Sequence, residues 1–104
     1  MVILLLIEML SDSDAAVRSL AAEIPGSFIL AGMNSDTRSI KPLIKALNDE
    51  NANVRSAAAL SLGRITEYLG SEAAGWPVEP PRTALKDDDP SVRAAAQKAL
   101  SMMR

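Results

Sequence analysis

Apolar and polar positions along the chain fall into short helical blocks separated by polar turns. Val2 to Leu10 is almost wholly apolar and predicts a first helix buried on more than one side. Ser11-Asp12-Ser13 is a turn, and Asp14 is a good N-cap for a second helix from Ala15. Val17, Leu20, Ala21 and Ile24 then share one helical face, which predicts the core side of that helix. Pro25-Gly26 predicts a break, with Ser27 to Gly32 resuming the helix after a kink. After a loop at Asn34 to Thr37, Ser39 is placed to cap a helix with Pro42 in its first turn and Leu43, Ile44 and Leu47 as its core edge. Asn51 caps the longest helix, Ala52 to Leu69. There Val54, Ala58, Leu62, Ile65 and Leu69 make a continuous apolar stripe, and Gly70 is placed to end it. Ser71 to Glu79 reads as loop, and Pro80-Pro81 opens a short helix ending near Lys86. Asp89 caps the last helix with Pro90 at its first position, and its core stripe is Val92, Ala95, Ala96, Ala99, Leu100 and Met103.

The blocks repeat. LSDSDAAVRSLAAE, LNDENANVRSAAALSLG and LKDDDPSVRAAAQKAL share five columns: Leu10/Leu47/Leu85, Asp12/Asp49/Asp87, Val17/Val54/Val92, Arg18/Arg55/Arg93 and Ala21/Ala58/Ala96. The copies are 37 and then 38 residues apart (47 − 10 and 85 − 47). A fixed period of that size signals a helical repeat array. The expected fold is all-α, a short solenoid of three helical hairpins over approximately 1–33, 34–70 and 71–104, in a single domain 1–104.

Composition narrows the chemistry. With 48% hydrophobic but only 3% aromatic residues, the core has to be built from Leu, Ile, Val and Ala, which favours close-packed helices over a sandwich. A net charge of −2 provides no field for phosphate backbones or anionic membranes, so neither nucleic acid nor a membrane is expected as a partner. The chain has no cysteine and no histidine, which removes thiolate ligands and the commonest general base. Ser56 and Ser61 therefore lack a histidine partner, and no glycine-rich phosphate cradle is present; no enzyme activity and no cofactor are expected. The opening MVILLLIEML is too short to span a bilayer and lacks a basic flank and a cleavage site, so a buried helix of a cytoplasmic protein is expected.

PLIKALNDENANVRSAAALSLGRI, residues 42–65, resembles a HEAT repeat, in particular the HEAT-like repeats of the phycobilisome-lyase type. The similarity runs through all three units and is strongest in the middle one. It implies a right-handed α-solenoid in which the pairs Asp12/Arg18, Asp49/Arg55 and Asp87/Arg93 form a structural ladder tying repeats together. Read from chemistry alone, the same arginines make an anion-binding row, or else each forks onto a carboxylate and open carbonyls. The carboxylates at Asp12/Asp14, Asp49/Glu50 and Asp87-Asp88-Asp89 lie at helix starts without the glycine of a calcium loop, and capping is their expected role. Tyr68 and Trp76 are expected to pack near the junction of the second and third units.

A non-catalytic protein-interaction scaffold is the expected function. The alternative implied by the resemblance is a lyase-type or accessory protein that handles a chromophore or matures an enzyme. Solenoids bind on the surface made by their second helices. Opposite the middle stripe fall Asn53, Ser56, Leu60, Arg64 and Glu67. The matching strips are Ala16, Ser19, Glu23 and Ser27 in the first unit and Ser91, Ala94, Lys98 and Met102 in the third. Among these, Asn53, Ser56, Leu60, Arg64, Glu67, Glu23 and Lys98 are the expected partner-binding residues. The apolar Met1 to Ile7 lacks the polar face of a capping repeat, which predicts a homodimer through the N-terminal helix or docking of that end.

Overall fold

Among the described residues the polar interruptions between the apolar blocks become turns, and the blocks become helices. The computed structural model describes residues 2–30, 40–69 and 82–102. Within them run α1 (Val2–Met9), α2 (Ala15–Leu30), α3 (Ile40–Ala46), α4 (Ala52–Leu69), a 3-10 turn (Ala84–Lys86) and α5 (Pro90–Met102), with no strand among the described residues. The chain folds as an all-α solenoid of helical hairpins. Ser39, Gly70, Trp76, Pro80-Pro81 and Met103, which carry expectations drawn from the sequence, lie outside the described residues. None of the helices described is long and apolar enough to cross a membrane.

The second helix of each hairpin starts the same way. Asp14, Asn51 and Asp89 accept the backbone N–H two residues on, from Ala16 (2.8 Å), Asn53 (2.9 Å) and Ser91 (2.8 Å). Two residues earlier, Asp12, Asp49 and Asp87 accept the N–H of those capping residues, each at 2.9 Å. The orphan amides of the first turn are thus satisfied by side chains in series.

α4 is the centre of the core. Its Val54, Ala58, Ala59, Leu62 and Ile65 are buried against Ile40, Leu43, Ala46 and Leu47 of the preceding first helix and its turn, Ala22 of α2 and Ala95 of α5. A second cluster joins Ala84, Val92 and Ala96 in the last hairpin. The second helices pack so closely that two glycines are needed. A Cβ on Gly26 would lie 2.9 Å from Ser61 Cα, and one on Gly63 would lie 2.7 Å from Ala99 Cα.

Three expectations are corrected. α2 is not broken at Pro25-Gly26; it runs unbroken from Ala15 to Leu30 with Pro25 inside it. The repair comes from α4, where the buried Ser61 hydroxyl donates to the Ala22 carbonyl and accepts the Gly26 N–H at 3.2 Å. An inserted hydroxyl is one of the ways a proline helix re-satisfies its backbone. Leu20 is not on the core face: it is 52% exposed, and the fully buried face of α2 is Ala21, Ala22, Pro25 and Gly26. The tight crossing with α4 selects these small residues, and a leucine has no room there. α1 is not enclosed on several sides, since Leu6 is 4% exposed and Leu5 58%. It packs on α2. Tyr68 is half exposed.

Candidate interaction surface

The second helices present two sets of candidate side chains. One lies along the turns, the other along the open side of α2 and α4.

At the turns, each arginine divides its guanidinium. Arg18 donates from Nη1 to the carbonyls of Asp12 (2.9 Å) and Ser13 (3.1 Å), within its own turn. Its Nε and Nη2 reach the next hairpin and clasp Asp49 at 2.8 and 3.1 Å. Arg55 repeats this, with Nη1 on Asp49 O (2.8 Å) and Glu50 O (3.1 Å), and Nε and Nη2 on Asp87 at 2.8 and 3.0 Å. Arg93 makes the first half only, to Asp87 O (2.8 Å) and Asp88 O (3.1 Å). Among the described residues no arginine pairs with the Asp12 carboxylate and no carboxylate reaches the outer edge of Arg93. The structure thus brings together Arg18 with Asp49 and Arg55 with Asp87, as bidentate, charge-assisted pairs.

The pairs shift their own titration. Burial is the largest single influence on Asp49 and acts to raise its pKa. Hydrogen bonds from Arg18 and the Asn51 amide, together with the charges of Arg18 and Arg55, outweigh it and hold the carboxyl below its ordinary value. The Arg55 hydrogen bond leads in lowering Asp87, helped by the Asp89 amide. Asp89 is lowered first by the Ser91 hydroxyl, then by its amide. Arg18 and Arg55 are raised above the usual arginine value by their hydrogen bonds to Asp49 and Asp87.

On the open side, α2 and α4 enclose a groove of about 750 Å³. Of the residues expected to bind a partner, Glu23, Asn53, Ser56, Leu60 and Arg64 line it, together with Ala16 and Ser19 from the matching strip. Glu67 and Lys98 are exposed but lie outside that lining. Ser56 meets Ser91 of α5 with the two hydroxyl oxygens 3.3 Å apart, which carries the strip toward the third unit. Leu60 is half-buried and rests on the core rather than standing free. The sequence reading missed Leu20, which supplies exposed apolar surface on the α2 wall, and Ala57 and Ser61 on the α4 wall. Leu20 was assigned to the core because a spacing of 3 and 4 identifies a face without saying which neighbour covers it. Among the described residues no group of three or more acidic side chains gathers in a way that would hold a metal ion.

A family model for HEAT repeats matches residues 3–75, which takes in α1 through α4. The match is to HEAT repeats as such and does not single out the phycobilisome-lyase type. Comparison with curated proteins gives no match. The Asp87/Arg93 unit lies beyond the matched residues, yet it repeats the turn geometry of the two units before it.

Proposed function

Because the chain belongs to the HEAT-repeat family, we propose that it is a non-catalytic scaffold that binds a protein partner in the groove between α2 and α4. One observation carries this reading. The groove joins apolar surface at exposed Leu20 and half-buried Leu60 to flanking polar and charged groups at Glu23, Asn53, Ser56 and Arg64. Apolar anchors ringed by polar groups are where binding energy concentrates. Glu23 and Arg64 give the two walls opposite charges, which fixes the direction in which a polar segment lies across them. A chain without histidine or cysteine has little to offer catalysis and much to offer as a rigid support.

The test is selection of binding peptides from a displayed library, followed by chemical-shift mapping of the selected peptide on the labelled protein. Shifts are expected to cluster at Ser19, Leu20, Ser56, Leu60 and Arg64. Arg64→Glu is expected to weaken binding at least about tenfold, as loss of a contact worth roughly 1.4 kcal/mol does, while leaving the circular dichroism spectrum unchanged. Leu60→Asp is the less clean probe, because Leu60 also rests on the core. Shifts confined to the turn edge near Asn48 and Asp88 would move the binding surface to the other side of the solenoid.

A further inference from the structure

α3 reverses the charge of its surroundings. The chain as a whole carries a net charge of −2, and its acids crowd the turns. Ile40–Ala46 has no acidic residue and two lysines, Lys41 and Lys45, one helical turn apart on the same face. Both are exposed, and neither makes an ion pair among the described residues. Glu8, the only acid of α1, pairs with neither. Asp49 is nearby but already engaged: its two oxygens take Arg18 at 2.8 and 3.1 Å and the Asn51 amide at 2.9 Å.

The two lysines edge a cleft of about 520 Å³ between α1 and α3. Its apolar side is made by Ile7, Leu10, Pro42 and Ala46, and the first three are only half-buried, so they leave apolar surface in the cleft. The cleft shares no lining residue with the α2–α4 groove. An apolar hollow edged by two unpaired cations is complementary to an apolar side chain flanked by carboxylates.

We infer that this cleft docks an acidic amphipathic helix of a partner protein, with acidic residues at i and i+4 on the two lysines and a large apolar residue at i+3 in the hollow. The spacing selects a helix. Four helical residues rise about 6 Å, so acids at i and i+4 of a helix lying along α3 match Lys41 and Lys45. The residue at i+3 falls on that same face. An extended strand matches the lysines with acids at i and i+2, but it turns the residue between them to its opposite face. A second copy of this chain does not supply the segment, since each of its described helices has at most one acidic residue. An anionic bilayer does not fill a hollow, and basic clusters that read lipid hold about four or more such residues.

The test is selection from a displayed library of surface-randomised helical peptides, with the Arg64→Glu chain as bait so that the α2–α4 groove does not dominate. Peptides with acids four apart and an apolar residue at i+3 are expected to be enriched. A selected peptide, made synthetically, is expected to bind at least about tenfold more weakly when the chain carries Lys41→Glu and Lys45→Glu together, with the circular dichroism spectrum unchanged. Its binding is expected to weaken as salt rises. Exchanging the peptide's two acids for lysines is expected to restore binding to that double variant and to abolish binding to the original chain, a swap that a merely structural effect does not produce. A selection that enriches nothing, enrichment without the acidic spacing, or binding that survives the double reversal overturns the inference. So does lysine-dependent sedimentation with vesicles of phosphatidylserine and phosphatidylcholine, which makes a bilayer the occupant.

Discussion

Arg55 spends one half of its guanidinium on its own turn and the other half on the next hairpin. Its removal therefore strands two carbonyls and a half-buried carboxylate together. Arg55→Ala is expected to cost about 1.5–3 kcal/mol in urea unfolding, the range for hydrogen bonds to charged groups. A change in partner binding at unaltered stability would instead mark Arg55 as a contact residue. The same pairs set the acid response. Asp49 and Asp87 titrate below the ordinary carboxyl range in the folded chain. Above about pH 3.9, where an unfolded aspartate is also ionised, their contribution is whole. As pH falls through that value the unfolded chain takes up protons first, so stability drops until the folded carboxyls themselves protonate. Thermal unfolding followed from pH 7 to pH 3 is expected to show that loss. Asp87→Asn is expected to be less stable at pH 7 and to have a shallower acid slope.

Among the elements, α2 depends most on a neighbour. Pro25 removes one amide from the middle of the helix, and Ser61 of α4 supplies the hydroxyl that serves Ala22 and Gly26. Ser61→Ala leaves buried backbone groups without that partner and is expected to lower stability by about 1–3 kcal/mol, read as loss of midpoint in chemical denaturation. The dependence explains what the sequence disclosed and what it hid. α4 was legible end to end, because a stripe from Val54 to Ile65 has one reading and Asn51 marks its start. The three Asp/Arg columns and the serial caps were legible for the same reason: they recur. α2 was not, because proline and glycine ordinarily interrupt a helix, and only a side chain 35 residues away overrides that tendency here. A signal was nonetheless present: Gly26 and Gly63 are separated by the same 37 residues as the other columns (63 − 26). That interval marks them as contact points rather than breaks. In the candidate groove the polar residues were legible from angular position alone, whereas Leu20 needed knowledge of which helix lies beside it.

In the whole molecule, each hairpin leans on its neighbours and α4 is shared by both junctions, packing on α2, α3 and α5. Stability in such a stack is the sum of unit and interface terms, so damage at the shared unit removes two interfaces at once. Leu62, buried on α4, is the place to see this. Leu62→Asp buries an unpaired charge and is expected to abolish the cooperative transition by circular dichroism. A substitution that only shortens Leu6 on α1 is expected to shift the midpoint and keep one transition. Retention of a sharp transition in Leu62→Asp would mean the outer hairpins stand without the middle one.

The hydroxyl that mends α2 also makes one amide a witness. Most amides within a helix are held by their own helix and exchange their protons with solvent only when it unwinds. The Gly26 N–H donates to Ser61 on the neighbouring helix, so parting of the two hairpins removes that acceptor even while both remain helical. Deuterium uptake at Gly26, compared with uptake at its neighbours in α2, therefore separates undocking of repeats from melting of helices, two events that circular dichroism merges.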